Sequence, residues 1–140
     1  MSDVAERAVK EVVVRHQSFV DWFRGDGKDA LFADIERSFA PGFRMFAPCG
    51  TMMKRDLIVE ALKAERAARV ATFDIIVDAP EVVWSNDTSA LVTYIERQSG
   101  GGEETARRST ALFTRDDGAP CGVVWQHVQE TWITNEGDGT

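Results

Sequence analysis

Apolar positions follow two different periods along this chain. Up to about Thr72 they recur at three- and four-residue spacing, and from Phe73 to Ile133 they lie in long, nearly alternating runs. Val4, Ala8, Val12, Phe19 and Phe23 share one helical stripe, joined by Val9, Val13, Val20 and Trp22. Ser2 stands where an N-cap belongs, with Asp3 and Glu6 in the first turn, and Gly25 and Gly27 stop the helix. A second helix is predicted from Lys28 to Phe39, with Leu31, Phe32, Ile35 and Phe39 on one face and Pro41-Gly42 as its end. Phe43 to Ala47 reads as a short extended segment, turned by Pro48-Cys49-Gly50. A third helix is expected from Met53 to Ala68, with Leu57, Ile58, Ala61 and Leu62 facing inward.

The second half reads as four strands: FDIIVDAPEVVW, ALVTYIERQ, TARRSTALFTR and GVVWQHVQETWI. Turn signals separate them at Ser85-Asn86-Asp87-Thr88, Ser99-Gly100-Gly101-Gly102 and Asp116-Asp117-Gly118-Ala119-Pro120. Pro80 cannot donate to a strand ladder, so it marks an edge strand or a bulge. The tail NEGDGT is expected to be disordered. Helices first and an antiparallel meander second imply an α+β fold: a curved antiparallel sheet wrapped around three helices, with a pocket between them. The expected domain is single and spans 1–140, ordered from about Val4 to Thr134.

Length agrees with one domain, since 140 residues can bury a core without a metal or disulfide. The net charge of −7 opposes nucleic-acid binding, which needs a basic face. Cys49 and Cys121 are the only cysteines and are expected to be reduced thiols. The charged start MSDVAERAVKEV lacks the apolar stretch of a signal peptide, and no apolar run reaches the length of a membrane span. A cytoplasmic protein without membrane contact is therefore expected. His16 and His127 are too far apart for metal-ligand spacing, and phosphate-loop, G-x-G-x-x-G and G-x-S-x-G motifs are absent, so neither metal nor cofactor is expected.

FAPGFRMFAPCG, APEVVWSNDTSALVTYIERQ and VVWQHVQETW resemble matching segments of nuclear-transport-factor-2-like (NTF2-like, cystatin-like) domains. The likeness is strongest to SnoaL-like domains and to the association domain of calcium/calmodulin-dependent protein kinase. It covers about Val4 to Ile133 and implies a cone-shaped cavity between helices and concave sheet, with a homodimer on the outer sheet face. Strand parity on these segments directs Val92, Tyr94 and Glu96 into the cavity, with Arg107, Ser109, Ala111 and Phe113 beside them. It also directs Val124, Gln126, Val128, Glu130 and Trp132 inward and Trp125, His127, Gln129 and Thr131 outward, an assignment that a single bulge would swap.

The two acids of the superfamily's ketosteroid isomerases correspond to Ala47 and to a position near Ala111, which argues against that chemistry here. Glu96 and Glu130 remain as candidate acid–base groups, with Tyr94 as a hydroxyl donor. Phe19, Trp22, Met45, Arg107, Phe113, Gln126 and Trp132 are the candidate ligand-binding residues. His16, on the helix stripe between Val12 and Phe19, is placed to reach the cavity as a base. The bland alternative is that Glu96, Arg107 and Glu130 satisfy one another or lie at the sheet rim in water, and that His16 is a partly buried, hydrogen-bonded structural histidine. Two functions are open at this point. One is a small-molecule-binding, SnoaL-like protein, with cofactor-independent cyclisation, isomerisation or dehydration by proton transfer on an amphipathic ligand. The other is a non-catalytic ligand-binding or assembly module.

Overall fold

In the computed structural model, which describes residues 2–134, the first apolar stripe forms helix α1 (Asp3–Arg24). The Ser2 side chain accepts from the Ala5 amide, and Gly25 closes the helix in a left-handed conformation with φ 86°. Val4, Ala8, Val12 and Val20 are buried in the core, so most of the stripe read from the sequence is the face that packs, but Val13, grouped with it, is 48% exposed.

The second helix is shorter than expected. Helix α2 spans Asp29–Arg37, and Phe39 already opens strand β1 (Phe39–Phe46). The Ser38 hydroxyl donates to the Ile35 carbonyl and its own carbonyl accepts from the Trp125 amide, which ends the helix and starts the strand. Pro41-Gly42 do not terminate a helix; they lie where the β1 pairing skips from Phe39 to Arg44. An irregular ladder tolerates the missing proline donor. The third helix is also trimmed at both ends. Met52–Lys54 form strand β2 beside β1, and α3 spans Arg55–Ala64. Beyond it, the Ala67 and Arg69 amides donate to the Trp22 and Phe23 carbonyls of α1. The chain leaves its own helix to satisfy the C-terminal carbonyls of another.

The four later strands stand close to their expected places: β3 (Asp74–Ser85), β4 (Ser89–Ser99), β5 (Thr105–Arg115) and β6 (Val123–Trp132). Among the described residues the sheet has six strands in the order β2-β1-β6-β5-β4-β3. The meander is antiparallel, but β1 runs parallel to β6, so the sheet is mixed rather than purely antiparallel. Pro80 is both at an edge and in a bulge: β3 ends the sheet, and its register skips between Asp78 and Glu81, with Ala79 at φ 51°. The expectation of a disordered NEGDGT tail falls on 135–140, outside the described residues. Cys49 and Cys121 are free thiols.

A second bulge matters more. Leu112 pairs with His127 while Phe113 pairs with Trp125, so Gln126 is an extra residue on β6. It reverses the parity of the strand's first half. Trp125 therefore turns inward and is buried, contrary to the outward assignment, while Val124 and Gln126 leave the cavity face. Gln126 donates instead to the Thr114 hydroxyl on the outer side. Past the bulge, Val128 and Glu130 face inward and His127 outward, the sides that alternation assigns them.

Candidate functional site

Register places side chains on the concave sheet face in cross-strand rows. Glu96 pairs with Arg107 and Arg107 with Trp132; next come Tyr94, Ser109 and Glu130, then Val92, Ala111 and Val128, then Ala90, Phe113 and Trp125. The rows pass from polar to apolar, and exposure falls with them: Trp132 is 43% exposed and Phe113 0%. Helix α1 covers these rows and supplies His16, Phe19 and Phe23, while α3 and β1 close the side with Ile58, Leu62, Phe43 and Met45. Between them lies a cavity of about 160 Å³.

Three of its wall residues are the candidate acid–base groups Glu96, Glu130 and Tyr94; Phe19, Met45 and Arg107 also line it. The other candidate ligand residues lie elsewhere. Trp22 donates its indole N–H to the Leu62 carbonyl and packs on Phe32. Phe113 lies behind Trp125, with ring centres 4.5 Å apart, and Gln126 is on the outer side. Trp132 is at the exposed rim, its ring 4.6 Å from the Arg107 guanidinium carbon.

His16 is a wall residue that strand parity could not supply. Its Nδ1 lies 2.7 Å from the Val12 carbonyl oxygen and its Nε2 3.0 Å from Glu96 Oε1. A carbonyl can only accept, so Nδ1 carries a proton. Opposite an ionised carboxylate Nε2 carries one too, and the ring is an imidazolium. Burial alone would lower the His16 pKa, but the Glu96 hydrogen bond and charge raise it above its ordinary value. Burial likewise pushes Glu96 up, and the His16 hydrogen bond and charge, with help from Arg107 and Gln98, more than reverse this, to about 2. Gln98 donates to Glu96 Oε2 at 2.6 Å. Glu96 is thus a pinned, ionised carboxylate.

Glu130 is held differently. Its one ion-pair partner among the described residues is Arg107, at 3.2 Å, and that same side chain reaches Glu96 only at 4.0 Å. Burial and the nearby Glu96 charge raise the Glu130 pKa, and Arg107 and His16 offset this only in part. Two buried carboxylates near one another are inequivalent: one keeps its charge and the other favours a proton. Burial also raises the Tyr94 hydroxyl well above its usual range, and the fields of Glu96 and Glu130 add to it, so Tyr94 remains an O–H donor. Arg107 Nε and Ser109 Oγ are buried without a hydrogen-bond partner among the described residues. The wall therefore combines hydroxyl and guanidinium donors, a carboxyl whose pKa is raised and an apolar floor.

The sequence profile of the family described as sucrose-6-phosphate phosphohydrolase C-terminal matches residues 9–134. A curated relative from Arabidopsis thaliana, named probable sucrose-phosphatase 2, is 29% identical over 94% of this chain and 33% of its own length. The chain thus spans about a third of the curated relative it matches. Among solved structures, an NTF2-like protein of unknown function from Pseudomonas aeruginosa superposes with a TM-score of 0.83 at 26% identity, covering 91% of this chain and 98% of that one. The calcium/calmodulin-dependent kinase II hub of S. rosetta gives a TM-score of 0.67 at 16% identity, covering 92% and 95%. An uncharacterised cystatin-like-fold protein from Caulobacter vibrioides gives 0.63 at 19%, covering 90% and 88%. The fold is NTF2-like, as the resemblance of the three sequence segments implied.

Proposed function

This chain belongs to the sucrose-6-phosphate phosphohydrolase C-terminal family, and we propose that it is a small-molecule-binding domain whose cavity exchanges a proton with its ligand through Glu130. The observation that carries this reading is the inequivalence of the two buried carboxyls. Among the described residues, Glu96 is hydrogen-bonded by His16 and Gln98, while Glu130 is hydrogen-bonded by Arg107 alone and sits beside the apolar space. A general acid or base needs a pKa displaced toward neutrality and access to the ligand, and Glu130 meets both conditions. Tyr94 would donate to a ligand oxygen. His16, Glu96 and Arg107 would fix the local charge without themselves turning over. A volume of about 160 Å³ suits a compact amphipathic molecule, since about 150 Å³ holds a benzene-sized guest. Cofactor-independent isomerisation, cyclisation or dehydration of a ring or carbonyl compound is the chemistry such a wall could perform.

Cyclohexanone in deuterium oxide tests this. Native protein should bind it and speed deuterium incorporation at the carbon beside the carbonyl. Glu130→Gln should keep the fold and lose the exchange, and Tyr94→Phe should weaken both binding and exchange. Absence of binding would defeat the ligand-binding reading; binding with exchange unchanged in Glu130→Gln would defeat the assignment of Glu130.

A second reading, self-association through the outer sheet face, has its own support. Trp84 is 52% exposed and Ile76 54%, both on that side of β3. Leu91, Ile95, Leu112 and His127 continue an incompletely buried surface across the sheet. Solved neighbours described as hub and association domains favour it. The expectation that Trp125 would join such a face does not hold, because Trp125 is buried within its own subunit. Self-association and ligand binding use opposite faces of the sheet and are compatible.

A further inference from the structure

Trp125 closes the apolar end of the cavity, and hydrogen bonds hold both its backbone amide and its indole N–H. Its amide donates to the Ser38 carbonyl at 2.9 Å. Its indole N–H donates to Glu11 Oε2 at 2.7 Å. Glu11 is in turn gripped by Arg15 in a two-bond fork, at 2.8 and 2.9 Å, and Arg15 also donates to Ser18. Glu11 is 0% and Arg15 2% exposed, so a complete ion pair is buried inside one face of α1. Such a pair costs desolvation energy and could be replaced by apolar packing. The indole is its one contact with the cavity wall among the described hydrogen bonds.

The ring is also wedged laterally, against Phe113 at 4.5 Å, Phe39 at 6.3 Å and His16 at 6.1 Å between ring centres. The Gln126 bulge is what turns it inward; regular alternation would have put the indole outside and left the apex open.

We propose that Trp125 is a size-determining stop, held by the positioning pair Glu11–Arg15, that limits the cavity to ligands with a single-ring apolar body and one polar substituent. This rests on the reading of the cavity as a ligand site. With the polar substituent among Tyr94, Glu130 and Arg107, the remaining body extends through the Val128 row toward Trp125 and stops there. A fused second ring has no space unless the indole moves.

The probes are cyclohexanone and the two-ring ketone 2-decalone, with affinities measured by titration calorimetry. Native protein should prefer cyclohexanone at least about tenfold, a difference of about 1.4 kcal/mol. Trp125→Leu should reverse the preference. The paired variant Glu11→Met with Arg15→Met removes both charges together, so it should fold, and by freeing the indole it should reduce the preference several-fold. A purely structural role for the pair would change stability and leave the ratio of the two affinities alone.

Equal native affinity for the two ketones overturns the proposal, as does an unchanged ratio in folded Trp125→Leu. If Trp125→Leu does not fold, an unchanged ratio in the paired variant overturns it instead. If neither ketone binds the native protein or any variant, the ligand-site reading falls, and the size limit with it. Cyclohexanone binding with an unaltered ratio removes the size limit alone.

Discussion

Glu96 and Glu130 are the same residue type on adjacent rows of one wall, and their partners alone separate their chemistry. Glu96 pairs with a buried imidazolium, so Glu96→Gln leaves His16 without its counter-charge and should cost about 3–5 kcal/mol of stability, read by chemical denaturation. The pH dependence has a definite sign on each side. Glu96 has a folded pKa below its unfolded value, so its contribution is complete above the ordinary carboxylate range and fades as pH falls toward about 2. His16 has a folded pKa above its unfolded value, so its contribution is complete below the ordinary histidine range and is lost as pH rises through the raised value. Stability should therefore be greatest at mildly acidic pH, and the Glu96→Gln variant should flatten both flanks. Strand alternation groups Tyr94 with Glu96 on one strand face, and the likeness to NTF2-like segments turned that set, with Arg107 and Glu130, toward the cavity, where register brings them together. The partner that decides the roles of the two acids comes from a helix 80 positions away, and no periodicity encodes that contact.

At the scale of elements, the sequence reading succeeded where one period runs uninterrupted and failed where elements meet. TARRSTALFTR is β5 from its first residue to its last. The C-terminal end of α2 and the N-terminal end of α3 went astray because β1 and β2 claim residues whose apolar side chains also fit a helical face, Phe39 and Met53 among them. The Gln126 bulge left no composition signal, and it alone exchanged Trp125 for Gln126 in the cavity wall. Two glycines offer a contrasting test of turn and bulge. Gly100 has φ 81°, and a Cβ there would meet the Thr72 carbonyl oxygen at 1.9 Å. Gly100→Ala should cost at least about 1–2 kcal/mol, the penalty of the left-handed conformation before any clash. Gly42, in the β1 irregularity, has open space around its Cβ direction and no positive φ. Gly42→Ala should be neutral or stabilising by about 0.4–1 kcal/mol. Thermal unfolding of the two variants checks both signs.

For the whole molecule, one sheet presents two surfaces of different character. Its concave side holds the cavity under α1, and its convex side carries Trp84 and Ile76 in the open. Light scattering at micromolar concentration should therefore give at least a dimer, and Trp84→Lys with Ile76→Lys should shift it toward monomer while leaving ketone binding in place. A native monomer would remove the self-association reading. The order of elements, helices before meander, was enough to read the fold class and the existence of a concave face. The parallel pairing of β1 with β6 was not readable, because both short and long connections suit the same local pattern.

The division of labour between the two buried carboxyls is tested most directly by following their side-chain ¹³C resonances through a pH titration, assigned with Glu96→Gln and Glu130→Gln. Glu130 should titrate above the ordinary glutamate range, and Glu96 should stay ionised down to about 2. Both carboxyls titrating together at ordinary values, or Glu96 holding its proton to higher pH than Glu130, would contradict the assignment of Glu130 as the proton-exchanging group.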